Sequence, residues 1–347
     1  MLNAFIPLVI RRRWLVMFFS VALIGLGLFN LQKLTIDAVP DITNIQVQIN
    51  TEAPGYTPLE TEQRITFPIE WALAGLPRLE YTRSLSRYGL SQVTVVFEEG
   101  TDIYFARQLV NERLQAATSQ LPPNIEPMMG PVATGLGEIY MYTVDAQPGA
   151  LNEDGEPWTA MDLRTVHEWI VKPQLITVPG VTEVNTVGGY TKQFHVMPHA
   201  DHLAAHGLGL DDVFNALERN NANRGAGYIE RSGEQYLVRV PGQAENIQDL
   251  ERIIVAQRHG VSIRLGDIAD IDLGSKLRSG AATKDGREVV LGTVFMLVGE
   301  NSRIVAKAVD EKLAEIRRSL PAGIELKTAY NRERLVDQTI DTVTKNL

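Results

Sequence analysis

ITNIQVQINTEAPGYTPLETEQRITFPIEWALAGLP, residues 42–77, passes from a strand pattern to a helix pattern across a single turn. Ile42 to Thr51 alternates apolar and polar side chains with period two, the mark of a half-buried strand. Ala53 to Pro58 supplies turn residues. Thr57 is placed to cap a helix, with Pro58 at its first position and Glu60 at its third, a capping-box arrangement. The helix pattern runs to about Ala74 and stops at Gly75-Leu76-Pro77. Two strand-like runs follow, Tyr81 to Arg87 and Ser91 to Phe97, around Tyr88-Gly89. Asp102 to Gln120 is an amphipathic helix closed by Pro122-Pro123. The order is β-α-β-β-α.

The same order recurs downstream. Glu138 to Val144 reads as a strand, and Met161 to Thr177 as a helix that Pro173 is expected to kink or end. Thr182 to Val187 and Lys192 to Met197 flank Gly188-Gly189, a hairpin signal. Leu277 to Thr283 and Glu288 to Leu297 flank Asp285-Gly286, a stronger one. Ser302 to Ser319 is a capped helix and Ile324 to Tyr330 a strand. Residues from Pro198 to about Asp272 interrupt this second unit. They hold a helix from Asp211 to about Asn220, a Gly- and Asn-rich stretch at 220–228 and a strand from Tyr236 to Val240. Arg332 to Leu347 is a polar helix pattern. The expected class is α+β, with tandem ferredoxin-like βαββαβ units.

Composition narrows the function. The 347 residues are 44% apolar and 22% charged, which excludes disordered and collagen-like chains. The absence of Cys excludes a disulfide scaffold, a thiol nucleophile and Cys-ligated zinc. A net charge of −9 argues against nucleic acid. Mean hydropathy near zero excludes a polytopic membrane protein for these residues. The charge is uneven, however. Residues 1–34 carry Arg11, Arg12, Arg13 and Lys33 and no acid, leaving 29 bases against 42 acids beyond them. Trp14 to Gln32 holds 19 uncharged residues, about 28 Å of helix, enough for one hydrocarbon core. The preceding arginines predict a cytoplasmic N-terminus. The run is longer than a signal-peptide core, so it reads as an uncleaved anchor ended by Pro40.

Longer stretches carry a resemblance. DAVPDITNIQVQINTEAPGYTPLETEQRITFPIEWALAGLP (37–77), RSLSRYGLSQVTVVFEEGTDIYFARQLVNERL (83–114), ATGLGEIYMYTV (133–144) and KPQLITVPGVTEVNTVGG (172–189) resemble the N-terminal part of heavy-metal efflux pumps of the resistance–nodulation–division superfamily, cobalt–zinc–cadmium type. The resemblance implies one N-terminal transmembrane helix followed by two porter subdomains, the second interrupted by a docking subdomain. Residues 1–36 would be the cytoplasmic N-terminus and transmembrane helix, and 37–132 the first porter subdomain. Residues 133–180 plus 274–331 would form the second porter subdomain, 181–273 the docking subdomain, and 332–347 the approach to a second span. The family implies a bacterial inner-membrane homotrimer joined through the docking subdomain, with the bulk of this chain periplasmic. Its partners would be a periplasmic adaptor, an outer-membrane channel and the lipid bilayer. It implies a proton-driven cation antiporter rather than an enzyme. No cofactor is expected, the divalent ion being cargo. The chain would be about a third of such a pump, without its proton relay. The alternative is a single-span, membrane-anchored periplasmic binding or adaptor subunit, which should show a long heptad hairpin. A drug-exporting relative should carry more cleft aromatics and no GLGE motif.

Glu138, after Gly135-Leu136-Gly137, is the candidate metal residue, since the family's metal transporters keep this motif at the porter cleft. A carboxylate suits Zn²⁺ or Co²⁺ rather than Cu⁺. Its partners would have to come from outside this chain. His199, His202 and His206 share a helix face, with Asp201 nearby, but read as exposed surface because the resemblance gives them no support. His167 and His195 are expected at the surface or half-buried. Met128 and Met129, adjacent on an extended segment, should point to opposite faces and pack. Glu98, Glu99 and Asp102 form an acidic patch. Nucleotide-loop, nucleophile-elbow and zinc-protease motifs are all absent.

Overall fold

The computed structural model describes residues 10, 12–33, 43–133, 135–152, 154–222, 224–231, 234–240, 242–258, 260–278 and 280–346. Pro40 and Ile42, read as the end of the anchor and the start of a strand, lie outside them, as do residues 1–9. Helix α1, Arg13–Lys33, forms where the apolar run predicts it. Its 21 residues are about 31 Å long. Trp14, Phe18, Leu23 and Ile24 on it are all exposed. Among the described residues, no helix is long and apolar enough to cross a membrane. Within α1, Leu28 and Asn30 to Lys33 have side chains outside the described set.

The first α/β unit comprises β1 (Gln46–Glu52), helix α2 (58–73), β2 (Leu79–Arg87), β3 (Leu90–Phe97), α3 (Ile103–Thr118) and β4 (Pro127–Met129). The capping box forms as read. Thr57 Oγ1 accepts from the Glu60 N–H at 3.3 Å, and the Glu60 carboxylate accepts from the Thr57 N–H at 3.0 Å. Pro68 sits inside α2, where it removes a hydrogen bond and crowds the preceding turn. The helix answers with a π-turn at Glu62–Thr66, so that the Phe67 N–H bonds the Glu62 carbonyl. The strands are antiparallel in the order β2-β3-β1-β4. Ile49, Val93, Val95 and Phe97 pack against Ile65, Ile69, Leu73, Ala106 and Val110 of the two helices.

The second unit opens with β5 (Glu138–Ala146) and helix α4 (160–176), then β6 (Val181–Val187). Pro173 does not end α4. A π-turn at His167–Val171 precedes it, with the Lys172 N–H on the His167 carbonyl, at the same spacing from the proline as in α2. The interruption follows: β7 (Lys192–Pro198), α5 (Ala200–His206), α6 (Leu210–Asn220), β8 (Arg224–Arg231), β9 (Glu234–Val240), α7 (Ile247–Glu251), β10 (Ile254–Arg258), β11 (Val261–Arg264), the short α8 (Leu265–Ile268) and β12 (Ala269–Ser275). The unit then resumes with β13 (Ala282–Lys284), β14 (Arg287–Met296), α9 (Ser302–Ile316), β15 (Ile324–Asn331) and α10 (Arg332–Asn346). Strand β14 pairs with β5 on one side and with β6 and β13 on the other, while β15 closes the far edge. With the short β13 set aside, which shares one edge of β14 with β6, the remaining four strands of the second sheet run in the same 2-3-1-4 order as the first. Both are covered by two helices on one face.

The structure corrects several local readings. Strands β6 and β7 are not a hairpin, although Gly188 and Gly189 both adopt positive φ, 85° and 64°. β6 joins β14, whereas β7 pairs with β12. The glycines serve tight packing as the chain leaves the sheet. A Cβ on Gly188 would lie 2.5 Å from the Val289 carbonyl oxygen, and one on Gly189 2.7 Å from that of Ala160. β6, the opening strand of the 181–273 segment, is thus a strand of the second sheet. The Asp285-Gly286 hairpin does form, with φ of 53° and 76°. Its first strand covers only Ala282–Lys284, not Leu277 to Thr283. Arg278 instead lies 4.5 Å over the Tyr190 ring and pairs with Glu288. Half of the Gly/Asn-rich stretch is strand β8, paired to β9. The interruption has its own core, from Leu203, Val213, Leu250, Ile263, Leu265 and Ile268.

Candidate functional site

Glu138 is the first residue of β5 and is half-buried. The Gly135–Gly137 3₁₀ turn delivers it. The structure pins that turn from two sides. A Cβ on Gly137 would lie 3.2 Å from the Met296 carbonyl oxygen, so glycine serves space here. From the other side, Nη1 of the buried Arg332 donates to the Leu136 carbonyl.

The register shows a second carboxylate that the sequence reading missed. Phe295 of β14 pairs with Glu138 on β5 and with Glu183 on β6. Residues opposite one another share a face. Glu138 and Glu183 therefore stand in one row, two strand spacings or about 10 Å apart. Val184 and Val294, one position along β6 and β14, face the helices and are buried; on β5 the register slips between Val294 and Phe295, so that Tyr140, two residues from Glu138, stands opposite Val294. Phe295 and Glu183 therefore lie on the face away from those valines, and the slip in β5 brings Glu138 level with them. Burial raises the Glu183 carboxyl above its ordinary value, opposed by the Lys172 charge. A partly dehydrated carboxylate with few protein donors suits a cation. Among the described residues, no three His, Asp or Glu side chains are close enough to hold a metal ion. These two residues are at most part of a ligand set.

Two clefts flank the approach. Thr43 to Gln46, Ile103, Val132, Ala133, Val298 and Gly299 line one of about 270 Å³ between the two units, beside the turn that carries Glu138. The other, about 740 Å³, shares Thr43 to Ile45 and adds Glu80, Glu98 and Glu99. The acidic patch therefore gains Glu80. It loses Asp102, whose Oδ1 accepts from the Phe105 N–H at 2.8 Å and caps α3. Asp102→Ala should cost about 1 kcal/mol of stability, read from the urea midpoint, and leave cation binding unchanged.

The remaining histidines separate. His199 is the N-cap of α5. Its Nε2 lies 3.1 Å from Asp270, and its ring centroid is 5.0 Å from that of His202. His202 Nδ1 bonds the Asp267 carbonyl at 3.1 Å, and His206 ends the helix away from that pair. Met128 is exposed and Met129 packs on the first core, the opposite facing that extended backbone dictates.

His167, expected near the surface, is completely buried. Its Nε2 is 2.8 Å from the Tyr142 hydroxyl and its Nδ1 3.0 Å from Thr186 Oγ1. Thr186 donates its only hydroxyl proton to Glu168, at 2.7 Å. Nδ1 must therefore carry the ring proton, and Nε2 accepts from Tyr142. The neutral imidazole has both nitrogens satisfied. Burial lowers its pKa to about 4. The π-turn that accommodates Pro173 begins at His167.

Comparisons with known proteins agree with this architecture. The profile of the AcrB/AcrD/AcrF family matches residues 5–347. The chain is 60% identical over all 347 residues to the cation efflux system protein CzcA of Alcaligenes sp. (strain CT14), covering 33% of that protein. It is likewise 60% identical to the cobalt-zinc-cadmium resistance protein CzcA of Cupriavidus metallidurans, again over 33% of its length. Among solved structures, the X-ray structure of a heavy metal efflux pump (crystal form II) superposes with a TM-score of 0.87 at 30% identity. That match covers 99% of this chain and 34% of the pump. The chain thus spans about a third of the length of the curated relatives it matches.

Proposed function

We infer the function from one premise: this chain belongs to the AcrB/AcrD/AcrF family. Its relatives include a cation efflux system protein and a cobalt-zinc-cadmium resistance protein. We propose that it forms the N-terminal part of a proton-driven efflux transporter for divalent cations of the zinc, cobalt and cadmium class. The two 2-3-1-4 sheets are the ferredoxin-like porter subdomains. The interruption is the docking subdomain through which three protomers assemble, and its β8–β9 hairpin is the reaching arm. We place its start after Val187 rather than at 181, because β6 is paired into the second sheet. The anchor reading rests on the sequence, where the uncharged run Trp14 to Gln32 within α1 is long enough for one hydrocarbon core and the preceding arginines favour the cytoplasmic side of the inner membrane. A periplasmic adaptor and an outer-membrane channel complete the assembly. An adaptor role for the chain itself would need a long helical hairpin, and among the described residues there is none.

The row Glu138–Phe295–Glu183 carries the cation reading. Two carboxylates level with one another on the second sheet give an ion a first foothold, and further ligands come from the rest of the transporter. Oxygen donors suit Zn²⁺ and Co²⁺ over Cu⁺. In cells expressing the full-length transporter, Glu138→Gln and Glu183→Gln should each raise the half-saturating zinc concentration by about tenfold or more. Growth on graded zinc and cobalt reads the loss as reduced tolerance. Unchanged tolerance in Glu138→Gln removes that residue from the ion path.

A further inference from the structure

The Glu138 turn is tied to the last helix of the chain. β15 runs antiparallel to β5, with Asn331 opposite Tyr140, so the residue after Asn331 arrives beside the start of β5. That residue is Arg332, the first of α10, and it is 5% exposed. Its guanidinium donates to the Leu136 carbonyl, two residues before Glu138. The Asn331 side chain accepts from the Glu333 N–H at 2.8 Å and so fixes where α10 begins. Two further contacts hold α10 to the second unit. Val336 is completely buried, and Asp337 pairs with Arg303 of α9 at 2.8 Å. The Gly135–Gly137 turn thus lies between the Met296 backbone and a cation on α10. Axial movement of α10 has a direct mechanical path to the carboxylate.

We propose that Arg332 is a positioning residue for Glu138: through the Leu136 carbonyl it sets where the carboxylate stands and couples that position to α10. The proposal rests on the reading of Glu138 as an ion-path residue. A guanidinium presents a rigid planar fork, whereas an ammonium is a compact point charge on a flexible stem, so lysine is only a partial substitute. Partners that orient a metal-binding side chain typically matter by about 10–100-fold in affinity.

The test is zinc transport by the full-length transporter reconstituted in proteoliposomes, with Zn²⁺ as the probe. Arg332→Gln should raise the half-saturating zinc concentration about tenfold while the maximal rate stays within about twofold. Arg332→Lys should recover part of the loss. In the double variant with Glu138→Gln, the two effects should not add, because Arg332 acts through Glu138. If Arg332→Gln fails to assemble, Arg332→Lys decides alone, with an expected rise of about threefold. An unchanged half-saturation, a fall in maximal rate alone, or additive effects would overturn the positioning role. If Glu138→Gln itself is silent, the ion-path reading is what fails, and the proposal falls with it. If Glu138→Gln is impaired and both Arg332 variants are normal, only the positioning role is overturned.

Discussion

Replacing Gly292 with Ala should cost about 3 kcal/mol or more and lower the unfolding midpoint of the second α/β unit. Gly292 sits mid-strand in β14, opposite Tyr142 on β5. A Cβ there would collide with Tyr142 Cζ and lie 2.6 Å from its hydroxyl oxygen. Contacts that short demand movement, and the tyrosine has nowhere to go. It is completely buried, and its hydroxyl is bonded to a histidine that is buried as well. The backbone φ is not the obstacle, since Gly292 is not among the residues with positive φ. The cost is steric, and this sets the control. Tyr142→Phe should not relieve Gly292→Ala, because the ring carbon itself collides. Tyr142→Ala should, and the double variant should be less destabilised than the sum of the singles. Urea unfolding followed by circular dichroism measures each single and double variant.

The second large effect is on pH. Burial holds the folded His167 imidazole at about 4, against an ordinary 6.5. The unfolded chain therefore binds a proton first as the solution is acidified. Stability is present in full above about pH 6.5 and drains away between there and about pH 4. The gap corresponds to about 3 kcal/mol. Neighbouring charges modulate this. Glu168 favours the imidazolium, while Lys172 and Arg164 oppose it. Glu168 experiences burial, which raises its pKa, but the Thr186 hydroxyl and the Lys172 charge outweigh that and leave it lowered. Its own contribution is therefore lost only further down, below the ordinary carboxylate range. Unfolding midpoints measured from neutral pH down to about pH 4.5 should fall steeply in the wild type. In His167→Gln the slope over that window should flatten, on top of a lower plateau left by the broken Tyr142 and Thr186 bonds. A slope unchanged in His167→Gln would assign the effect to other groups.

Local chemistry was legible in the chain, and long-range pairing was not. The Thr57–Glu60 capping box, the Asp285-Gly286 turn and the opposed faces of Met128 and Met129 each depend on a few neighbouring residues. The structure has them as read. The Gly188-Gly189 pair misled because its local signal is that of a hairpin, while the partner of β6 lies about a hundred residues downstream on β14. Glu183 was missed for the same reason. A glutamate at an alternating strand position looks ordinary until register sets it level with Glu138. His167 was placed near the surface because nothing around it in sequence shows that Tyr142 and Thr186 will satisfy both nitrogens. Arg332 looked like part of a polar helix, and its carbonyl acceptor is 196 residues away.

The wide turns ahead of Pro68 and Pro173 leave a trace in the spacing of buried side chains. In α2 the buried positions include Thr61, Ile65, Ile69 and Leu73; in α4 they include Leu163, His167, Val171 and Leu175. Each series advances in steps of four. On an ideal α-helix at about 100° per residue, such a stripe drifts by about 40° per step and would wander off the sheet. The π-turn takes up that drift, so the stripe stays in phase along the whole helix. A single residue deleted within either π-turn would leave steps of three and four, the ordinary α-helical repeat, but would remove the wide turn that accommodates the proline. Across these two helices, residue count is as tightly constrained as residue identity.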